Sequence, residues 1–213
     1  MVPEELLQNK GASVEHLATG DVVYQIGAQP THYYQLVSGR VRIVNFTEEG
    51  REVLHKLVEP GECFGELSLF DKRPHKTFAI ADTQVSFLRL AMSSFFTLIQ
   101  EYPDLHLKFT KAFAQQLRFK FLISELMSTN QPEGMLSQLI DYFSLEQKYI
   151  CEDCHQLMLT RQQIANMLGL RVETVIRTMK KLEKSSPIKI VKGKVFVNWA
   201  VVEDSQLPEA RKV

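Results

Sequence analysis

The chain has 213 residues, 45% of them hydrophobic and 23% charged, which suits one large or two small globular domains and excludes extended disorder. Its 25 basic and 25 acidic residues cancel, but from Thr160 onward there are 11 basic against 5 acidic, leaving 14 against 20 before it. A polyanion is therefore attracted to one end of the chain and repelled by the other.

No apolar run approaches the ~20 residues of a membrane span. Met1-Val-Pro-Glu-Glu lacks the basic and apolar stretches of a signal peptide. Three cysteines are too few for a disulfide framework, so the expected setting is the reducing cytoplasm, with no membrane partner.

Residues from about 14 to 90 read as β structure. The runs Tyr33–Phe46 and Glu52–Val58 are β-branched and aromatic, and Thr19-Gly20-Asp21, Gly27, Ser38-Gly39, Glu49-Gly50 and Pro60-Gly61 separate such runs. Turns roughly every 10 residues favour a small barrel or jelly roll, with Glu48-Glu49-Gly50 at a hairpin tip. Tyr24, His32 and Tyr34 read as strand packing.

From Ser93 the pattern turns helical. Ser93 or Ser94 is a candidate cap, Pro103 an interruption, and Asp104 the expected N-cap of a long helix to about Thr129. Leu105, Phe109, Ala112/Phe113, Leu117, Phe121 and Leu126 form its apolar stripe. Such a helix spans roughly 25 residues, about 37 Å, long enough to seek a partner copy. Gln116, Lys120 and Ser124 interleave with the stripe. Gln131-Pro132-Glu133-Gly134 reads as a break and domain boundary. A short amphipathic helix from Met135 to Leu145 follows, then a polar stretch to about Leu159.

Residues 160–184 carry the strongest signal. Thr160 with Gln163 makes a capping box, opening a helix that buries Ile164 and Met167/Leu168. Gly169 supplies the left-handed residue that ends it. A second helix from Val172 to Lys184 buries Val175, Met179 and Leu182, and a strand pair over Lys189–Trp199 turns at Lys192-Gly193-Lys194. Helix, glycine turn and helix make a helix-turn-helix whose second member enters the DNA major groove. Glu173, Arg177 and Lys180/Lys181 lie at spacings of three and four and so share one face of that helix. Glu173 can accept from a cytosine amino group, Arg177 can grip guanine O6 and N7, and Ile176 suits a thymine methyl. Thr160, Arg161, Gln162, Arg171 and Thr174 are donors suited to phosphates.

Across nearly its whole length the chain resembles the CRP/FNR family of bacterial transcription regulators, through TRQQIANMLGLRVETVIRTMKKLE (160–183) and GECFGELSLF (Gly61–Phe70). The resemblance implies an α+β fold. An N-terminal jelly-roll sensor barrel of the cyclic-nucleotide-binding type spans residues 1–92, a hinge and dimerisation helix 93–130, and a winged helix-turn-helix 131–213. It implies double-stranded DNA, a second copy of the chain and RNA polymerase as partners. Glu173 and Arg177 would read a TGA-type half-site. The cyclic-AMP branch has arginine where Val172 stands, and Ile176 departs from both branches.

The resemblance also implies effector contacts. Glu66 stands at the ribose-binding glutamate, flanked by Gly65 and Leu67, but Lys76 and Thr77 replace the phosphate-binding arginine and serine. Lysine keeps the charge and loses the planar fork. Lys120 and Phe121 replace the adenine-binding threonine and serine. Cyclic AMP or another nucleotide is thus a disfavoured effector, and the effector is left unassigned.

Cys151-Glu-Asp-Cys154-His155 matches the c-type haem string, which needs an exported protein. A plain exposed loop is the simplest reading, with a thiol or metal redox sensor as an alternative. His75, a haem-ligand candidate by resemblance, reads as polar surface. A regulatory module acting on a partner protein is the other alternative. There is no P-loop, HExxH or GxSxG string, so no enzyme is expected.

Overall fold

The computed structural model describes residues 1–197; Asn198 and Trp199, expected to end the last strand, lie outside the described residues. Helix α1 (Glu4–Asn9) precedes strands β1 (Ser13–Leu17), β2 (Val22–Tyr24), β3 (His32–Ser38), β4 (Val41–Phe46), β5 (Glu52–Val58) and β6 (Cys63–Phe64). Helix α2 (Glu66–Asp71), strands β7 (Phe78–Ala81) and β8 (Val85–Ala91), and helices α3 (Met92–Glu101) and α4 (Asp104–Thr129) follow. Then come α5 (Pro132–Leu145), α6 (Arg161–Leu168), α7 (Val172–Leu182), β9 (Lys189–Val191) and β10 (Lys194–Phe196). The chain divides into two compact units, the first ending at Phe119 and the second beginning at Lys120, within α4.

The first unit is the expected antiparallel barrel. Two four-stranded sheets, ordered β1-β8-β3-β6 and β2-β7-β4-β5, enclose Leu36, Val41, Val58, Phe64, Ala79, Ala81 and Phe87. Strands β3 and β8 are buried on both sides, with Tyr34, Leu36 and Phe87 in this cluster and Tyr33, Leu88 and Leu90 in the next. A second cluster, with Leu7, Tyr33, Leu69, Phe95, Leu98, Leu105 and Phe109, seals one face of the barrel beneath α3 and the start of α4.

Several boundaries differ from expectation, each for a physical reason. Neither serine caps α3: Ala91 is its N-cap, without a side-chain bond, and Met92 N donates to Thr31 O at 2.9 Å. A carbonyl from the neighbouring loop satisfies an orphan amide that a serine would otherwise take. Asp104 is the first residue of α4 rather than its cap, and still places a carboxylate at the positive end of the helix. Pro132-Glu133-Gly134 opens α5 instead of breaking the chain: Pro132 takes the first turn, where a missing N–H costs nothing. The helix break lies one step earlier, at Asn130 (φ 50°) and Gln131. Helices α1 and α2, six residues each, are too short to show a period and had no expectation.

The apolar stripe of α4 is two faces, not one. Leu105, Phe109 and Phe113 pack into the first unit, whereas Leu117 is 53% and Phe121 63% exposed. Among the described residues no helix is long and apolar enough to cross a membrane.

Candidate nucleic-acid interface and barrel site

The reader forms as its local chemistry dictates. Gln163 N donates to Thr160 Oγ1 at 3.1 Å and Thr160 N to Gln163 Oε1 at 2.9 Å, a closed capping box. Thr160 thereby keeps its own hydroxyl proton for an outside acceptor. Gly169 ends α6 at φ 66°, and a Cβ there would stand 3.3 Å from Met127 Cε. The left-handed backbone is what favours glycine there, since Met127 Cε is the free end of a flexible side chain and can give way. Arg171 then becomes the N-cap of α7 without making a side-chain capping bond.

Helix α7 buries Val175, Thr178, Met179 and Leu182, and exposes Glu173, Ile176, Arg177 and Lys180. It ends at Leu182, two residues short of expectation. Lys181 donates to Glu133 Oε1 at 2.6 Å, tying α7 to α5 while still lining the groove beside the exposed face. Glu183 Oε1 accepts from Ile190 N at 2.9 Å, holding the hairpin β9–β10 beside the helix. The hairpin pairs Lys194 with Val191, so Lys192 and Gly193 form its two-residue tip. Glu173, Ile176, Arg177, Lys180, Lys184 and Ile190 consequently line one open groove. Thr160, Gln162 and Arg171 are exposed, and Arg161 and Thr174 half-buried. Gln162 Nε2 also donates to Asn166 Oδ1 at 2.8 Å, one turn along α6.

The barrel site is more enclosed. Glu66 is 3% exposed and accepts from Gln116 Nε2, on α4, at 3.0 Å. Gly65 holds φ 75°, where a Cβ would meet Tyr24 Cε1 at 3.0 Å and His75 Cε1 and Tyr34 Cδ2 at 3.3 Å. Aromatic side chains therefore pack directly against the Gly65 backbone. Thr77 is hydrogen-bonded to the Tyr24 hydroxyl. Lys76 and Leu67 are exposed, outside this cluster. Lys120 and Phe121 lie in the second unit, both exposed.

The residues present fit a cyclic phosphate poorly. The arginine place holds an exposed lysine, the glutamate is already bonded to Gln116, and rings pack against the glycine. Gln116 is the residue that sequence reasoning undervalued: its signal was a polar side chain on the same helical face as Phe109 and Phe113.

His75 is buried, not polar surface, and stacks on Tyr24 with centroids 3.8 Å apart. Burial pushes its imidazole below the usual histidine range. The unfolded chain then takes up a proton near pH ~6.5 that the folded one refuses. Stability present above that value is lost as pH falls toward the folded pKa, with a slope of at most about 1.4 kcal/mol per pH unit. His75→Phe should flatten the dependence, read as urea midpoints between about pH 7 and pH 5. His32, also held low by burial and then by Arg89, contributes in the same direction and is retained in the variant.

Residues 14–102 match the cyclic nucleotide-binding domain family, and residues 136–199 the Crp-like helix-turn-helix domain family. The CRP-like cAMP-activated global transcriptional regulator of Mycobacterium tuberculosis strain H37Rv is 27% identical over 165 residues, covering 75% of this chain and 72% of that protein. The cAMP-activated global transcriptional regulator CRP of Salmonella typhimurium is 27% identical over 173 residues, 80% and 82% of the two chains. Among solved structures, a CRP/FNR-family transcriptional regulator from Thermus thermophilus superposes with TM-score 0.64 at 25% identity, covering 94% of this chain and 100% of that one. FixK2 from Bradyrhizobium japonicum shares the fold with TM-score 0.72 at 20% identity, over 93% and 99%. The Mycobacterium, Salmonella and Thermus proteins are transcriptional regulators. With a sensor-type barrel and a helix-turn-helix matched in chain order, the protein belongs to the CRP/FNR family of transcription regulators.

Proposed function

We propose that the chain acts as a homodimer that reads a two-fold related DNA site, with α7 of each copy in successive major grooves about 34 Å apart. The observation that carries this reading is the single exposed face of α7. Glu173, Ile176, Arg177 and Lys180 stand clear on it while Val175, Met179 and Leu182 anchor the opposite side. Glu173 and Arg177 read the TGA-type half-site, Ile176 meets a base at its edge, and Lys180 with the wing lysines adds phosphate attraction. Thr160, Arg161, Gln162, Arg171 and Thr174 fix the register on the backbone. RNA polymerase is the partner through which a bound dimer acts on transcription.

In the barrel, an effector that takes Glu66 shares a carboxylate already held by Gln116, and Gln116 sits on α4. Binding is thereby coupled to the helix that leads to the reader, a population shift between two helix settings. Gly65, Glu66 and Thr77 are the core of that site, with Leu67 and Lys76 at its margin.

Arg177→Ala should cost about 1–3 kcal/mol on the palindrome and relax preference at the guanine. Arg161→Ala should weaken all duplexes alike. Fluorescence anisotropy against single-base variants of the site separates the two. Equal losses for both variants on every duplex would remove Arg177 as a base reader.

A further inference from the structure

Between α5 and α6 lies a segment that the DNA-reading face does not use. Ile150 and Leu157 form an antiparallel bridge, Cys151 N donates to Gln156 O at 2.9 Å, and His155 N donates to Cys151 O at 2.9 Å. The segment is thus a closed turn, not the loose exposed loop that its composition suggests. In a turn the first and fourth Cα atoms lie within about 7 Å, a span that a disulfide can bridge. Cys151 and Cys154 occupy those places, both half-buried, with their thiols hydrogen-bonded to each other. Among the described residues no group of three or more His, Cys, Asp or Glu side chains comes together to hold a metal ion.

The two thiols are not equivalent. The backbone N–H of Cys154, and then its thiol, bond to the Cys151 sulfur and hold that thiol below the usual cysteine range. Burial, reinforced by the bond to Cys151, pushes Cys154 up. The Asp153 carboxylate opposes the thiolate form of both, while its backbone N–H bonds to the Cys151 sulfur and favours the thiolate there. One sulfur is therefore poised to attack and the other to follow. Cys63 is 1% exposed with its thiol raised by burial, and cannot compete.

The turn is also stitched to the wing. Leu157 N donates to Val195 O at 2.8 Å, Val197 N to His155 O at 3.0 Å, and Gln156 bridges Phe196. Tyr149 (φ 56°) and His155 (φ 54°) hold left-handed backbone on either side of the pair. Such residues persist only where surrounding bonds constrain them. Drawing two hydrogen-bonded sulfurs to the ~2.05 Å of a covalent link contracts the turn and shifts the carbonyl that holds Val197.

We propose that Cys151 and Cys154 form a reversible disulfide site for small-molecule disulfides of the glutathione class, and that closing it weakens DNA binding through the wing. The Cys151 thiolate attacks one sulfur of the small disulfide, forming a mixed disulfide and releasing one thiolate. Cys154 then loses its proton and attacks the Cys151 sulfur, expelling the second small thiolate. One S–S bond breaks and one forms; two electrons pass to the small disulfide, and the two cysteine protons end on the two released thiols. The DNA consequence rests on the function proposed above, whereas the thiol chemistry does not.

The test incubates the full chain with oxidised glutathione, maps disulfides by peptide mass spectrometry, and measures duplex affinity before and after. Wild type and Cys63→Ser should both carry the 151–154 link. Cys154→Ser should stop at a mixed disulfide on Cys151, and Cys151→Ser should react more slowly. The linked protein should bind its duplex about fivefold or more weakly, with dithiothreitol restoring affinity. Absence of the link, or a fully linked protein with unchanged affinity, overturns the proposal. If the reduced chain ignores every duplex, the DNA reading fails instead, and the peptide map still decides the thiol pair.

Discussion

Leu117→Glu combined with Phe121→Glu should leave a monomer that binds its palindrome on the order of 10²–10⁴-fold more weakly, through loss of the second half-site. Leu107, Leu117 and Phe121 are 74%, 53% and 63% exposed, a large apolar surface for one helix. With Ala114, Leu107 and Phe121 recur every seven residues, and Thr110, Leu117 and Ser124 fall three residues after each of them. That is the seam of a two-helix coiled coil, in which small Ala114 and Ser124 allow close approach. Two carboxylates placed there face two more on the partner copy and would be desolvated without a cation. Because both side chains are solvent-facing within a single chain, the folded units should survive the change. Light scattering gives the subunit count and anisotropy the affinity. A variant that remains dimeric places the interface elsewhere.

Phe109→Ala, three turns earlier on the same helix, should have the opposite signature, costing about 3–5 kcal/mol of stability. Its ring is 1% exposed and lies 5.5 Å from Phe95, 5.4 Å from Phe70 and 6.0 Å from Tyr33. Phe95 in turn stacks on Tyr33 at 4.5 Å, so one deletion opens a cavity among these three rings that cannot collapse without moving a strand. Urea unfolding of the first unit reads the loss directly. An unfolding midpoint close to wild type would mean that the start of α4 does not seal the barrel.

The pair shows where sequence reading reached its limit. Steps of four link Phe109 to Phe121 and read as one stripe, yet twelve residues at 3.6 per turn leave the two about 120° apart around the helix. A long helix with a core at one end and a partner along its length uses both faces, and apolar spacing alone does not say what each face meets. The same limit hid the barrel site. Glu66 was legible as a candidate, but its partner Gln116 is 50 residues away, and His75 looked like surface until its ring was seen on Tyr24.

What the amino-acid sequence determined by itself was everything that closes within a few residues. The Thr160–Gln163 box, the left-handed Gly169 and the tip at Lys192-Gly193 are each satisfied by neighbours three or four positions away. Their energetics do not depend on the rest of the chain, so the reader could be located and its free face named. Tertiary structure alone decided which carbonyl caps α3, which side chain holds Glu66, and that Cys151 and Cys154 lie along the wing. Those contacts depend on strand register and on what reaches a buried atom first, and neither is written in any local stretch of sequence.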